Sequence, residues 1–249
     1  MNTKLPVQRP TVQIFENYTP EDYKVWKLLF ERQSSNLKGK VSQEYLSALN
    51  TIGFTSDKIP DFREIEMRLK PLTGWALKVV PCLSPQKEFF EWLSQKRFTA
   101  TCWLRSMDQL DYLEEPDMFH DVFGHAPLLS NTYYTSFFEG ISKIALAHLD
   151  NPKVIEMLGR VYWFTIEFGL ISEMQGLKIY GAGIISSSGE TENSLSNRSK
   201  KHDFDIRKIM HTGFRNDIIQ DNYFVVESYQ QLFQSLPEMD SVVQEVVRN

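Results

Sequence analysis

The segment EEPDMFHDVFGHAPLL, residues 114–129, contains two of the five histidines of the chain. His120 and His125 are five residues apart, and on a regular helix this spacing turns their side chains about 140° away from each other. Both imidazoles can bind one metal ion only if the helix ends or distorts between them. Gly124 and the pair Ala126-Pro127 give a reason for such a break. Two unrelated polar residues at a helix end are the alternative interpretation.

A single carboxylate stands in the apolar and aromatic segment GRVYWFTIEFGLI, residues 159–171. A helix that is apolar on nearly all sides is buried, and a buried carboxylate is costly unless it is paired or binds a metal. Glu167 therefore either pairs with a buried cation such as Arg105 or Arg160, or joins the histidines as a ligand. Two imidazoles and one carboxylate are typical of non-haem Fe(II) oxygenases, but zinc hydrolases use a similar set.

The elements that must position these residues are mostly helical. Apolar periodicity and capping residues predict helices over residues 19–33, 42–54, 61–70, 84–95, 200–211 and 224–236, with two longer ones between residues 131 and 171. Ser84 is the expected cap of the fourth helix. Short β-rich segments cover residues 74–81, 97–105 and 177–187. The pattern indicates a mainly α fold with a few short β-strands, and it argues against a doubly wound sheet.

The composition excludes several classes of protein. A net charge of -5 without a basic block is untypical of nucleic-acid binding. The sequence has neither a secretory signal nor an apolar run near the roughly 20 residues that span a bilayer. Cys82 and Cys102 are too few for a disulfide scaffold, so we expect a reduced, cytoplasmic protein.

Several long motifs carry a resemblance to a known family. They are TGWALKVVP, FFEWL, WLRSMDQLDYLEEPDMFHDVFGHAPLL, VYWFTIEFGLI, IYGAGIISS and YFVVES. In this order they resemble the pterin-dependent aromatic amino acid hydroxylases, and most closely the bacterial phenylalanine 4-hydroxylases. The resemblance implies a single catalytic hydroxylase domain over residues 19–249, which follows an N-terminal arm over residues 1–18.

The resemblance also assigns the metal and cofactor sites. His120, His125 and Glu167 match the iron ligands of the family. The residues that match its pterin site are Phe89, Tyr162, Asp121 and Leu83. Phe89 corresponds to the aromatic residue that stacks on the pterin ring. Asp121 stands where many relatives have glutamate, so we expect its contact to pass through water.

The substrate site is assigned in the same way. Arg105 matches the arginine that pairs with the substrate carboxylate, for which a guanidinium fork is well suited. A structural ion pair is its alternative role. Trp163 matches an aromatic residue of the ring pocket that favours phenylalanine over tryptophan, and Ser186 matches a serine that supports a ligand histidine and touches substrate. Leu113 stands where the animal enzymes have a threonine that bonds substrate, and Glu114 stands where they have a proline, so we expect Leu113 to contact substrate without that hydrogen bond.

The implied reaction converts L-phenylalanine to L-tyrosine with O2, Fe(II) and tetrahydrobiopterin or a related tetrahydropterin. Tyrosine or tryptophan hydroxylation within the same family is the alternative, and a zinc hydrolase is a remote one. We expect a monomer or weak dimer, because the chain begins near the catalytic domain and ends soon after YQQLFQSL without an extended heptad helix.

Overall fold

The computed structural model describes residues 9–111, 113 and 115–248. Over these residues the fold is mainly helical with six short strands, as predicted. The α-helices are α1 (Pro20–Asn36), α2 (Gln43–Ile52), α3 (Phe62–Leu69), α4 (Gln86–Ser94), α5 (Thr132–Ala147), α6 (Pro152–Tyr162), α7 (Ala182–Ser186), α8 (Ser188–Leu195), α9 (Ile206–His211), α10 (Tyr229–Gln234) and α11 (Leu236–Arg248). Two π-helices, Phe119–His125 and Trp163–Glu167, are called the first and second π-helix below.

Local sequence signals explain where several helices begin and end. Thr19 and Asp22 form a capping box at the start of α1, with Pro20 in the first position. Gly53 ends α2 with a left-handed backbone (φ 69°), and its N–H donates to the Leu49 carbonyl. The expected cap of α4 is wrong: Pro85 occupies the cap position and contributes no side-chain hydrogen bond, so Ser84 lies one residue too early.

The strands form two small sheets. They are β1 (Ala76–Val79), β2 (Arg97–Ala100), β3 (Leu170–Glu173), β4 (Gly176–Ile179), β5 (Lys200–Asp203) and β6 (Asn222–Val226). β1 and β2 pair in parallel, whereas the second sheet has the order β4-β3-β6-β5. In that sheet β3–β4 is antiparallel, and β3–β6 and β5–β6 are parallel.

Four predicted segments combine two kinds of element. The helix predicted up to residue 171 ends at Glu167, and Leu170 begins strand β3. The helix predicted over residues 200–211 begins as strand β5, and the one over 224–236 begins as the end of strand β6. The strand predicted over 177–187 turns into α7. These strands have only four or five residues, and β5 is polar with no buried residue, so it lacks the apolar alternation that identifies a strand.

The aromatic core surrounds both π-helices. Phe119 and Phe123 of the first π-helix are fully buried and stack on each other with ring centroids 4.7 Å apart. Phe164 and Ile166 of the second are also buried, which confirms the buried helix predicted there. At the N-terminus, Gln13 donates to the Pro60 carbonyl at 2.8 Å, so this part of the chain packs on the domain. Among the described helices, none combines the length and apolarity that a bilayer crossing requires.

Candidate metal centre and its pocket

The first π-helix brings the two histidines together. Its backbone hydrogen bonds span five residues instead of four, so side chains five positions apart lie on the same face. The Nε2 atoms of His120 and His125 are 3.3 Å apart as a result. The predicted distortion is thus a widened turn rather than a break. Gly124 suits this turn, because a Cβ there would lie 3.0 Å from the Ala182 carbonyl oxygen of α7, which is closer than most Cβ contacts.

The second π-helix supplies the carboxylate. Glu167 Oε1 lies 3.1 Å from His125 Nε2, and Oε2 lies 3.6 Å from His120 Nε2. Two ligand atoms that each bind one ion at about 2.1 Å, with a right angle between the bonds, lie about 3 Å apart. One ligand atom from each of the three residues lies within 4.8 Å of the others. The structure thus brings together the three residues predicted as ligands.

The competing interpretation of Glu167 as a partner of a buried arginine is wrong. Arg105 forms its ion pair with Asp117, and Arg160 forms its own with Glu156 on the same helix. The carboxylate of Glu167 instead faces the two imidazoles. Its burial is therefore explained by the cluster and not by a guanidinium.

A short hydrogen-bond chain sets the tautomer of His120. Ser186 Oγ donates to the Ala182 carbonyl at 2.9 Å, which uses the only hydroxyl proton. At 2.8 Å from His120 Nδ1, the same oxygen must then accept, so the ring proton is on Nδ1 and the lone pair of Nε2 faces the cluster. A neighbouring α7 residue thus orients one ligand and fixes its protonated atom.

The protonation states of the cluster suit a cation. Burial lowers the pKa of the His120 imidazole to about 4, against the opposing effect of Glu167. Burial alone raises the pKa of Glu167, but the two imidazoles and a hydrogen bond from Tyr162 outweigh it, and the pKa is lowered to about 2. A neutral imidazole and an ionised carboxylate are the forms that bind metal. The donor set therefore fits a divalent cation.

A cavity of about 200 Å³ opens beside the three predicted ligands. Its walls include all four residues predicted for the pterin, namely Phe89, Tyr162, Asp121 and Leu83. The rings of Phe89 and Tyr162 meet edge to face with centroids 5.4 Å apart, and Leu83 is 70% exposed. The cavity is therefore a partly aromatic recess with the cluster in its wall.

Asp121 is held by a residue that the sequence analysis missed. Its Oδ2 accepts from the Thr101 backbone N–H at 2.7 Å and from the Thr101 hydroxyl at 2.8 Å. Burial raises the pKa of Asp121 to about 7, although the Thr101 bonds act in the opposite direction. Thr101 follows strand β2 in a segment without any chemical motif, so nothing in the pattern identified it.

Arg105 is a buried residue with a partner of its own. Its Nε and Nη2 donate to the two carboxylate oxygens of Asp117 at 2.9 and 2.8 Å. Asp117 is fully buried and also accepts from the His120 backbone N–H at 3.2 Å. The structural ion pair named as an alternative therefore exists, and Asp117 connects the arginine to a predicted ligand.

The predicted substrate residues are arranged apart from this cavity. Among the described residues, the walls of this cavity do not include Arg105, Trp163, Ser186 or Leu113. The Trp163 indole stacks on Phe214 with centroids 4.3 Å apart and planes 13° apart. Leu113 is half-buried, and Glu114 lies outside the described residues.

Comparisons with known proteins agree with this arrangement. A family model described as biopterin-dependent aromatic amino acid hydroxylase matches residues 8–247. Phenylalanine-4-hydroxylase of Ralstonia nicotianae is 42% identical over 224 residues, which cover 89% of this chain and 71% of the relative. The enzyme of that name from Pseudomonas aeruginosa is 38% identical over 247 residues, which cover 99% of this chain and 94% of the relative.

Solved structures extend the similarity to the fold. Phenylalanine hydroxylase of Chromobacterium violaceum with bound iron(III) and 7,8-dihydrobiopterin matches with a TM-score of 0.88 at 39% identity, over 96% of this chain and 87% of that one. The same enzyme bound to cobalt gives 0.89 at 38% identity, over 96% and 88% of the two chains. With its ligand cluster, its aromatic recess and these similarities, the chain belongs to the biopterin-dependent aromatic amino acid hydroxylases.

Proposed function

We propose that this protein is a phenylalanine 4-monooxygenase that converts L-phenylalanine to L-tyrosine with Fe(II), a tetrahydropterin such as tetrahydrobiopterin, and O2. The observation that carries the proposal is the convergence of His120, His125 and Glu167 in the wall of an aromatic recess. The names of the similar bacterial enzymes support the choice of substrate. The iron(III) and dihydrobiopterin in the Chromobacterium structure support the choice of cofactors.

In this proposal His120, His125 and Glu167 would hold the iron. Together iron and tetrahydropterin supply the electrons that activate O2. The protein's contribution is to fix the ligands beforehand: Ser186 keeps the lone pair of His120 Nε2 directed at the metal, and burial keeps the imidazole neutral. Glu167 brings the negative charge that offsets part of the charge of the cation.

The recess beside the cluster is our proposed pterin site. An aromatic wall suits a planar heterocycle, so we propose that Phe89 stacks on the pterin ring while Tyr162 lines the inner end of the recess next to Glu167. Leu83 covers the outer end of the recess, where it is exposed. Asp121, anchored by Thr101, faces the polar edge of the pterin through water.

We propose that Arg105, Trp163, Ser186 and Leu113 hold the amino acid substrate. Asp117 accepts two of the five N–H donors of the Arg105 guanidinium, which fixes its plane and leaves donors for the substrate carboxylate. Trp163 confines the aromatic ring. Holding both ends of the amino acid brings the reacting carbon to the metal in a productive orientation.

A direct assay tests the proposal. The purified protein is loaded with Fe(II) under anaerobic conditions and mixed with tetrahydropterin, O2 and L-phenylalanine, and the tyrosine formed is compared with the pterin oxidised. We expect one tyrosine per pterin from the wild type and none from Glu167→Gln. If the metal-loaded wild type makes no tyrosine, or works equally well with Zn(II) and no pterin, the proposed function is wrong. Parallel turnover of phenylalanine, tyrosine and tryptophan tests the preference for phenylalanine.

We further propose that residues 19–249 form one catalytic domain that acts in the cytoplasm as a monomer or weak dimer. Both cysteines, exposed Cys82 and buried Cys102, are free thiols, which suits a reducing compartment. Sedimentation equilibrium of the metal-loaded protein measures the oligomeric state, and a concentration-independent tetramer contradicts the proposal.

A further inference from the structure

We propose that Gln220 is a positioning residue for the aromatic substrate, because its side-chain amide fixes the indole of Trp163. The inference rests on the proposed function, in which Trp163 confines the substrate ring. Gln220 is a buried residue, 5% exposed, and its Oε1 accepts from Trp163 Nε1 at 3.0 Å. An indole N–H is only a donor, so an acceptor at this position selects one orientation of the ring.

The orientation of the Gln220 amide is itself fixed. Its Nε2 donates to the carbonyls of Arg215 at 2.7 Å and Ile218 at 2.9 Å. Both carbonyls only accept, so the NH2 group must face them and the oxygen must face the indole. A flipped amide would place two donors head to head and leave two carbonyls unpaired. The three side-chain bonds of Gln220 therefore support one another.

The backbone of Gln220 is anchored from the opposite side. Its N–H donates to Glu190 Oε1 at 2.9 Å, and its carbonyl accepts from Asn193 Nδ2 at 2.7 Å. Glu190 is 5% exposed and also accepts a short hydrogen bond from the Tyr223 hydroxyl. Helix α8, which carries both Glu190 and Asn193, thus anchors the backbone of Gln220.

The position of Trp163 affects the proposed substrate site in two ways. Its ring packs on Phe214 and on Phe168, with centroids 4.3 and 4.5 Å away, so its tilt decides the shape of the wall it presents. It is also the first residue of the second π-helix, and its carbonyl accepts from the Phe168 N–H at 2.9 Å. Glu167 is the last residue of that helix. A displaced indole therefore disturbs the substrate wall first and the ligand segment second.

Replacement of Gln220 by methionine keeps the length of the side chain and removes all three amide bonds. We expect kcat/KM for L-phenylalanine to fall about 10- to 100-fold, since misplacement by about 1 Å has effects of this size. The KM for L-phenylalanine should rise and the tyrosine formed per pterin oxidised should fall. The KM for the pterin should stay constant, because its proposed recess lies at other residues.

A double-mutant cycle with Trp163→Phe separates this role from a general loss of structure. Phenylalanine has no N–H for the amide, so Gln220→Met should cost much less in the Trp163→Phe background than in the wild type. Ser194→Ala is the matched control, because it removes a buried hydroxyl bond on the same helix α8 that does not involve Gln220. Equal fold-losses from Gln220→Met in both backgrounds, or the same kinetic change in Ser194→Ala, would overturn the proposal.

A spectrum of the metal-free protein provides a readout independent of activity. Five tryptophans give up to five indole N–H resonances, and Trp163→Phe identifies the one of interest. We expect this resonance to shift in Gln220→Met and to stay in place in Ser194→Ala. An unchanged resonance in Gln220→Met refutes the inference even if the wild type makes tyrosine. If the wild type makes none, the proposed function fails and the resonance still tests the contact.

Discussion

The most informative perturbation of the metal centre is Ser186→Ala. The Ser186 hydroxyl accepts from His120 Nδ1 at 2.8 Å and donates to the Ala182 carbonyl at 2.9 Å. Without it, the proton of the imidazole is free to move to Nε2, the atom that faces the cluster, and the ring is free to rotate. Iron affinity should fall while the apolar core stays intact.

The loss of iron affinity in Ser186→Ala can be estimated from other hydrogen-bond partners of ligand histidines. Loss of a hydrogen-bond partner behind a ligand typically weakens metal binding about 10- to 100-fold, which corresponds to about 1.4 to 2.7 kcal/mol. The stabilisation by a fixed excess of metal decreases by the same amount. For a chain of this size, the metal-induced rise in Tm should therefore be smaller by about 3 to 11 °C.

Anaerobic calorimetric titration with Fe(II) gives the affinity, and thermal unfolding with and without metal gives the shift in Tm. Ser187→Ala is the matched control, because Ser187 caps α8 by accepting from the Glu190 N–H at 3.3 Å. That variant should lose about 1 kcal/mol of stability and bind iron normally. If Ser186→Ala binds Fe(II) as tightly as the wild type, or Ser187→Ala binds it as weakly, the assigned role of Ser186 is wrong.

Three further predictions test other parts of the site, one of them with a control substitution. Glu167→Gln removes the charged ligand, so stoichiometric iron by elemental analysis and tyrosine formation should both be lost. Gly124→Ala places a methyl group 3.0 Å from a carbonyl of α7 and should destabilise the metal-free protein by about 1 to 3 kcal/mol in urea, whereas Gly159→Ala, with nothing within 4 Å, should be neutral or stabilising. Arg105→Lys keeps the charge but loses the fork, so the KM for L-phenylalanine should rise about 10- to 100-fold at constant pterin KM, as steady-state kinetics will show.

The sequence was sufficient to predict which three side chains come together but not the backbone that brings them together. The spacing of His120 and His125 correctly indicated that a regular helix cannot bring them together. The spacing did not predict that these residues form a π-helix, because one widened turn leaves the apolar pattern of a helix almost unchanged. Tertiary packing decides where such a turn forms.

Other features that the sequence did not predict also have local causes. Thr101 and Gln220 form hydrogen bonds to partners 20 and 57 residues away, and contacts between residues that distant in sequence leave no periodic signal. Strand β5 was missed because it lies at a sheet edge with half-exposed polar residues. By contrast α1, with a capping box and an apolar stripe, was predicted almost to its ends.

A side-chain hydroxyl bonds a backbone carbonyl at each of the two π-helices. In a widened turn each backbone carbonyl accepts from the N–H five residues ahead instead of four. The hydroxyl donors are Tyr45 at the first π-helix and Thr165 at the second. Tyr45 donates to the Phe123 carbonyl at 2.8 Å in the first, and Thr165 donates to the Val161 carbonyl at 2.6 Å where α6 becomes the second. Both hydroxyl bonds are buried, and such a bond contributes about 0.5 to 1.5 kcal/mol to stability. The fold therefore stabilises the unusual backbone directly, and the ligands are positioned by packing and hydrogen bonds that are independent of the metal.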